Sequence, residues 1–185
     1  MIADVIAELE KDIVKAHEAL KRELTKIRTG RAHPSLLESV RVEVYGSQMP
    51  ISQVATVSVP EARMLTVKPW DKTQLKVIEK AIVQSPLGLN PQSDGEILRI
   101  PMPPLTEERR KELAKLVKKD GEETKVAIRK ARHDAKDMLA SLEKDGEISE
   151  DDLARAEKKV EELIQKGVAE VDAIVARKDK DLLEV

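Results

Sequence analysis

Between Lys111 and Lys136 the sequence spaces its cations in a way that suits phosphate better than any catalytic chemistry. Lys111, Lys115, Lys118, Lys125, Arg129, Arg132 and Lys136 follow one another in steps of three, four or seven residues. On a helix, such steps gather side chains into one narrow band. Glu122 is the only acid within it. At 1.5 Å per residue the row is roughly 37 Å long. A solvated helix face usually mixes signs, and this one hardly does. Arginine suits a phosphate partner because its planar fork can donate two hydrogen bonds.

Other chemistries find little support. Cysteine is absent, which removes disulfides, thiolate metal sites and thiol nucleophiles. His17, His33 and His133 make no metal-ligand spacing, and each reads as a structural or surface residue. Gly88 and Gly95 lack the following Lys-Ser/Thr of a phosphate-binding loop. Ser93-Asp94-Gly95 reads as a turn rather than a nucleophile, and the carboxylates fall on exposed helical faces. We therefore expect no enzyme, no metal and no cofactor. With one Trp, one Tyr and no Phe there is no base-stacking platform. Any contact with RNA must rest on phosphates and shape.

The formal net charge is only -2, so attraction to a polyanion must come from local asymmetry. The acidic stretch from Glu143 to Glu162 opposes the basic band and gives the molecule a dipolar layout. No apolar run approaches a membrane span, and Met1 to Asp12 is amphipathic and acidic, unlike a secretory signal. A cytoplasmic location is expected, with no membrane contact.

A helix from Thr106 to Leu142 must carry the band. Leu113, Val117, Thr124, Ile128, Ala131, Ala135, Met138 and Leu142 form its buried stripe, expected on the opposite side. Thr106 caps it, with Glu107 and Glu108 in the first turn. Asp120-Gly121 would usually signal a turn, but neither stripe changes phase there. One helical glycine costs about 1 kcal/mol, so the helix is expected to run through.

Residues 2–28 repeat Ile2, Ile6, Leu9, Ile13, Ala16, Leu20, Leu24 and Ile27, the period of a long packed helix. A third helix follows a reversal at Lys144-Asp145-Gly146 and a cap at Ser149. It carries Leu153, Ala156, Val160, Leu163, Val171, Ile174 and Leu182. The middle of the chain changes period. Val40, Val42 and Val44 alternate with polar residues before a turn at Tyr45-Gly46, and Gln53–Val59, Met64–Lys68 and Ile97–Ile100 also read as strands. Asp71–Gln74 opens a short helix with Leu75, Ile78 and Ile82 on one face, Leu87–Pro91 and Ser93–Gly95 read as loops, and Trp70 is expected in the core.

These elements predict an α+β fold: an elongated three-helix bundle with a small β/α/β domain inserted between helix 1 and helix 2. The bundle takes residues 1–29 and 106–185, the small domain 31–104. The crossings, Thr29, Gly30 and Arg31 on one side and Met102, Pro103, Pro104 and Leu105 on the other, form a candidate hinge. From the residues alone, a helical adaptor binding an acidic protein surface stands beside an RNA-docking factor.

Three stretches go further. Lys26-Ile27-Arg28-Thr29-Gly30-Arg31-Ala32 with Pro34 resembles a signature of the bacterial ribosome recycling factor family. So do Leu87-Gly88-Leu89-Asn90-Pro91, with Asp94-Gly95 and Ile100-Pro101 after it, and Pro103-Pro104-Leu105-Thr106-Glu107-Glu108-Arg109-Arg110-Lys111. The likeness runs end to end. It implies a monomer that binds the large ribosomal subunit RNA across the aminoacyl and peptidyl sites after termination. With elongation factor G, the partner that hydrolyses GTP, such a factor splits the subunits, and its second domain faces elongation factor G and protein S12. The resemblance assigns RNA contact to Arg129 and Arg132, and to Arg110, which helical geometry turns about a quarter turn out of the band. Where the family commonly reads Arg-Asn-aliphatic-Arg-Arg-Asp, this chain has Arg129-Lys130-Ala131-Arg132-His133-Asp134. His133 thus replaces an arginine, which makes that contact weaker or sensitive to pH below neutrality. Val44 stands where the family often has a second tyrosine beside Tyr45.

Overall fold

The structure, a computed structural model, describes residues 1–184; residue 185, the last position expected for the bundle, lies outside them. The elements are helices α1 (Ile2–Thr25), α2 (Leu75–Gln84), α3 (Glu107–Lys144) and α4 (Glu150–Leu183), with strands β1 (Arg41–Val44), β2 (Ser47–Pro50), β3 (Ala55–Glu61), β4 (Met64–Pro69), β5 (Gln92–Asp94) and β6 (Ile97–Pro101). Two compact units divide them. One comprises Met1–Arg28 with Glu107–Glu184, the other Thr29–Thr106.

In the first unit α1, α3 and α4 each pack on both others. Helix α3 runs unbroken through Gly121 and lies antiparallel to α4, with Gly121 beside Val171 and Val175. A Cβ at Gly121 would come within 2.7 Å of Val175 Cγ2. The glycine is therefore where the two helices approach closely, which offsets its poor helix propensity. Gly167 does the same for α1, since a Cβ there would lie 3.1 Å from Ile13 Cγ2. His17 donates from Nε2 to the Gly167 carbonyl at 2.8 Å, so this histidine ties two helices together.

The buried face of α3 is Leu113, Val117, Gly121, Ile128, Ala135 and Leu139. It is rotated from the expected stripe toward the basic band. Thr124, Ala131 and Leu142 are only half-buried, and Met138 is 48% exposed, lining an open groove with Met1 and Val5. The physical reason is Gly121: with no side chain it draws α4 close, and the seam centres on that glycine rather than on the larger apolar residues. In α1, Val5 is buried while Ile2 and Ile6 are half-buried, and the helix ends at Thr25, about a turn earlier than its apolar period. Ser149 opens α4 with a reciprocal capping box to Asp152.

The second unit contains a two-stranded antiparallel sheet, β1-β2, and a four-stranded antiparallel sheet ordered β3-β4-β6-β5. Val42, Val44, Leu65, Val67, Leu98 and Ile100 meet Ile78 and Ile82 of α2 in its core. Val44 is buried there, which explains an aliphatic residue at that position. β2 and β5 had no strand signature: Ser47–Pro50 and Gln92–Asp94 are short, largely polar edge segments. Tyr45 and Gly46 both have positive φ, 52° and 78°, making the tight β1–β2 turn. The Tyr45 hydroxyl donates to Asp71 Oδ2 at 2.7 Å, which holds a non-glycine residue in that left-handed region.

Trp70 does not enter the core. It is 65% exposed, with Nε1 donating to Thr56 Oγ1 at 2.9 Å; the aliphatic residues already fill the space between sheet and helix. His33 caps the 3-10 turn Pro34–Leu37, its Nδ1 accepting from the Ser35 N–H.

The close approach at Gly121 generates a stability prediction. Gly121→Ala gains about 1 kcal/mol of helix propensity but overpacks a stiff β-branched neighbour at about 1–3 kcal/mol. We expect net destabilisation in urea unfolding, with Gly121→Ala/Val175→Ala less unstable than the two single effects combined. A more stable Gly121→Ala would show that these helices separate at no cost.

Candidate nucleic-acid interface

The band is continuous because α3 is continuous, but its two edges have different surroundings. Lys111, Lys115, Lys118 and Arg129 are exposed. Lys111 pairs with Glu107 one turn earlier at 2.8 Å, an exposed contact of small energetic weight. Among the described residues Lys115, Lys118 and Arg129 make no ion pair. These three offer uncommitted charge to solvent.

The other edge abuts α4. At about 100° per residue the centre of the band lies about a quarter turn from the buried seam, not opposite it. Lys125, Arg132 and Lys136 consequently face acids across the helix pair. Lys125 Nζ lies 2.7 Å from Asp172 and 3.3 Å from Glu122, and its side chain is only 16% exposed. Those two carboxylates raise its pKa above the usual lysine value, the Asp172 hydrogen bond contributing most. Arg132 donates from Nε to Glu161 Oε1 at 2.9 Å, and Lys136 Nζ lies 3.2 Å from the same oxygen. The hydrogen bond from Lys136 is the main reason the Glu161 carboxyl sits below its ordinary value of 4.5; partial burial opposes the shift and the Arg132 charge adds to it.

The expectation of a band opposite the buried stripe, with Glu122 as its only acid, is therefore corrected, since α4 brings Asp172 and Glu161 against its inner edge. Lys115, Lys118 and Arg129 are open, whereas Lys125 is largely committed to its neighbours. Arg132 is intermediate: paired through one nitrogen, its side chain remains 41% exposed. His133 is exposed beside the band, with Nε2 3.3 Å from Asp137 Oδ2. Arg110 is half-buried and turned out of the row. Glu161 and Asp172 escaped sequence reasoning. Glu161 lies in the acidic stretch read only as a counterweight, and its contact with Arg132 depends on an interhelical register that no local pattern specifies.

The candidate hinge residues lie in the second unit. Gly30 has φ 77°, a conformation that favours glycine. Thr29, Gly30 and Leu105 are half-buried, and Arg31, Pro103 and Pro104 are exposed. Next to these crossings, the Ala32 N–H donates to the Ala62 carbonyl and the Met102 N–H to the Arg63 carbonyl, each at 2.7 Å. Both crossings are thus pinned to the one turn between β3 and β4. Among the described residues no His/Cys/Asp/Glu group is placed to hold a metal ion, and no helix is long and apolar enough to cross a membrane.

Fold and surface define an α+β protein, a three-helix bundle with a small sheet domain inserted after its first helix and a cationic row along its second. A family model described as ribosome recycling factor matches residues 20–183. A ribosome-recycling factor from Sorangium cellulosum (strain So ce56) is 57% identical over 185 residues, covering both chains completely. One from Brevibacillus brevis is 54% identical over 181 residues, covering 98% of each. A solution structure of a ribosome recycling factor aligns with TM-score 0.71 and 41% identity, over 100% of this chain and 98% of that one. A second structure describes models for the T. thermophilus ribosome recycling factor and the E. coli elongation factor G bound to the E. coli post-termination complex. It aligns with TM-score 0.63 and 43% identity over 99% of both chains. The chain belongs to the ribosome recycling factor family, and its function is ribosome recycling.

The shared carboxylate gives a pH prediction. Because the folded pKa of Glu161 lies below the unfolded one, its contribution is complete above the ordinary carboxylate value and is lost as pH falls through the folded value. Glu161→Gln should therefore be less stable than the parent at pH 7. In urea unfolding that gap should close on acidification; a gap independent of pH would remove the charge from the explanation.

Proposed function

We propose that the bundle docks on the large subunit of the post-termination ribosome, across its aminoacyl and peptidyl sites, by laying the α3 band on ribosomal RNA. In this reading elongation factor G hydrolyses GTP and acts on the second unit, which turns at Thr29–Arg31 and Met102–Leu105 and faces protein S12 as well. The subunits are driven apart. The chain works as a cytoplasmic monomer without catalysis or cofactor of its own. The single observation that carries the reading is the row of uncommitted cations at Lys115, Lys118 and Arg129, continued by the accessible part of Arg132. Arg110, Lys111, Lys125 and His133 flank that row, and Arg110 enters on family likeness. The two adjacent backbone anchors at Ala62 and Arg63 support motion about one axis.

Co-sedimentation with purified large subunits across a salt series tests the interface. Phosphate-driven binding weakens steeply as salt rises. Arg129→Ala and Arg132→Ala should each weaken binding by about 1.5–3 kcal/mol, and each should reduce the salt slope by about 1. Unchanged affinity at physiological salt in both variants would remove the band from the mechanism.

The hinge has its own test. Gly30→Ala places a Cβ at φ 77°, a strain of about 1–2 kcal/mol that falls on one crossing and leaves the band untouched. Subunit splitting with elongation factor G and GTP should suffer more than large-subunit binding. Equal loss of both, at normal helicity, would argue that the crossing serves docking rather than motion.

A further inference from the structure

Arg132 and Glu161 stand out because the contact between them is one-sided. A guanidinium carries five N–H donors: one on Nε and two on each Nη. The hydrogen bond to Glu161 uses Nε alone. The outer edge formed by the two Nη nitrogens can itself match two oxygens of one phosphate. A carboxylate engaged at Nε restrains the guanidinium and leaves that outer edge available.

The same carboxylate oxygen also holds Lys136. Arg132 and Lys136 are one turn apart on α3, and their charged nitrogens lie within about 6 Å of each other through the shared oxygen. Like charges at this spacing repel and spread. Glu161 lies between them and offsets that repulsion. Its side chain is 38% exposed, and the position is supplied by α4, a different helix from the one bearing the cations.

We propose that Glu161 is a positioning residue for recycling: it holds the Arg132 fork ready for a ribosomal phosphate and keeps Lys136 beside it. This rests on the docking of the α3 band on ribosomal RNA. A simple charge count gives the opposite expectation. Removing an acid from a cationic surface adds net positive charge and should tighten binding to a polyanion. Positioning predicts weaker binding in spite of the added charge, provided that the replacement cannot accept the Nε hydrogen bond.

The decisive comparison is Glu161→Ala against Glu161→Gln in the full-length chain, both of which remove one negative charge. Only glutamine keeps an oxygen able to accept from Nε. In co-sedimentation with purified large subunits, Glu161→Ala should bind at least fivefold more weakly than the parent, while Glu161→Gln binds no worse. In an Arg132→Ala background, Glu161→Ala should lose most of its weakening effect, leaving only its smaller influence through Lys136 and net charge. Exchange of the Arg132 Nε–H, followed by NMR at low temperature in the free protein, should quicken in Glu161→Ala and stay slow in Glu161→Gln.

Tighter or unchanged binding by Glu161→Ala, with Arg132→Ala still defective, would overturn the positioning role and make Glu161 a bystander or a competing counter-ion. Full binding by Arg132→Ala would likewise overturn it, and full binding by Arg129→Ala as well would overturn the docking reading along with it. The two failures therefore look different.

Discussion

The antiparallel register between α3 and α4 is the constraint on which the rest of the bundle depends. Gly121 brings the helices together opposite Val175, and from there the pairs Lys125–Asp172 and Arg132–Glu161 follow in order along the seam. Apolar burial supplies most of the driving force for such packing, but it is non-directional and would tolerate a slip of one turn. A slip would drive a side chain into the space kept free at Gly121 and strand three half-buried cations without partners. Breaking a partly buried pair costs more than forming it gains, so the charges act as register marks on a seam that hydrophobicity stabilises.

The same register settles how a chain of net charge -2 carries seven cations along one helix face. Unrelieved, neighbours three and four residues apart would repel one another at every step. α4 places acids against the inner edge and leaves the outer edge bare. The bundle thus offsets self-repulsion where the surface is half-buried and screening by solvent is weakest, and leaves Lys115, Lys118 and Arg129 uncompensated where water screens them best. The dipolar layout legible in the composition is, at residue level, a contrast between two edges of one band.

Much of this architecture was legible because long helices write their period many times over. The unbroken α3 across Asp120-Gly121, the Ser149 cap and the insertion of a β-rich segment between the first two bundle helices all follow from periodicity and capping chemistry. What escaped the sequence was lateral. The rotation of the α3 seam toward the basic band depends on a glycine whose effect is felt only against another helix. Met138 looked like a seam residue and is half exposed, while Leu139 is fully buried; adjacent positions on a helix differ by about 100°, and a modest rotation exchanges them. In the small unit, β2 and β5 were missed because edge strands this short and polar carry no alternation. Trp70 was misplaced for a different reason. Size and apolarity argued for the core, but an indole with a hydrogen-bond donor to satisfy sits as well on the surface against Thr56.

In the small unit, backbone bonds rather than side-chain patterns organise the segments where the chain enters and leaves. Ala32 and Met102 are seventy residues apart in sequence, yet their N–H groups bond to the adjacent carbonyls of Ala62 and Arg63. Entry and exit are thus both fastened to the one hairpin turn between β3 and β4, within the second unit itself. The bundle keeps its register by charge and close packing, and the small unit closes its entry and exit segments by two hydrogen bonds. The two sets of contacts lie in different units, each made from its own residues.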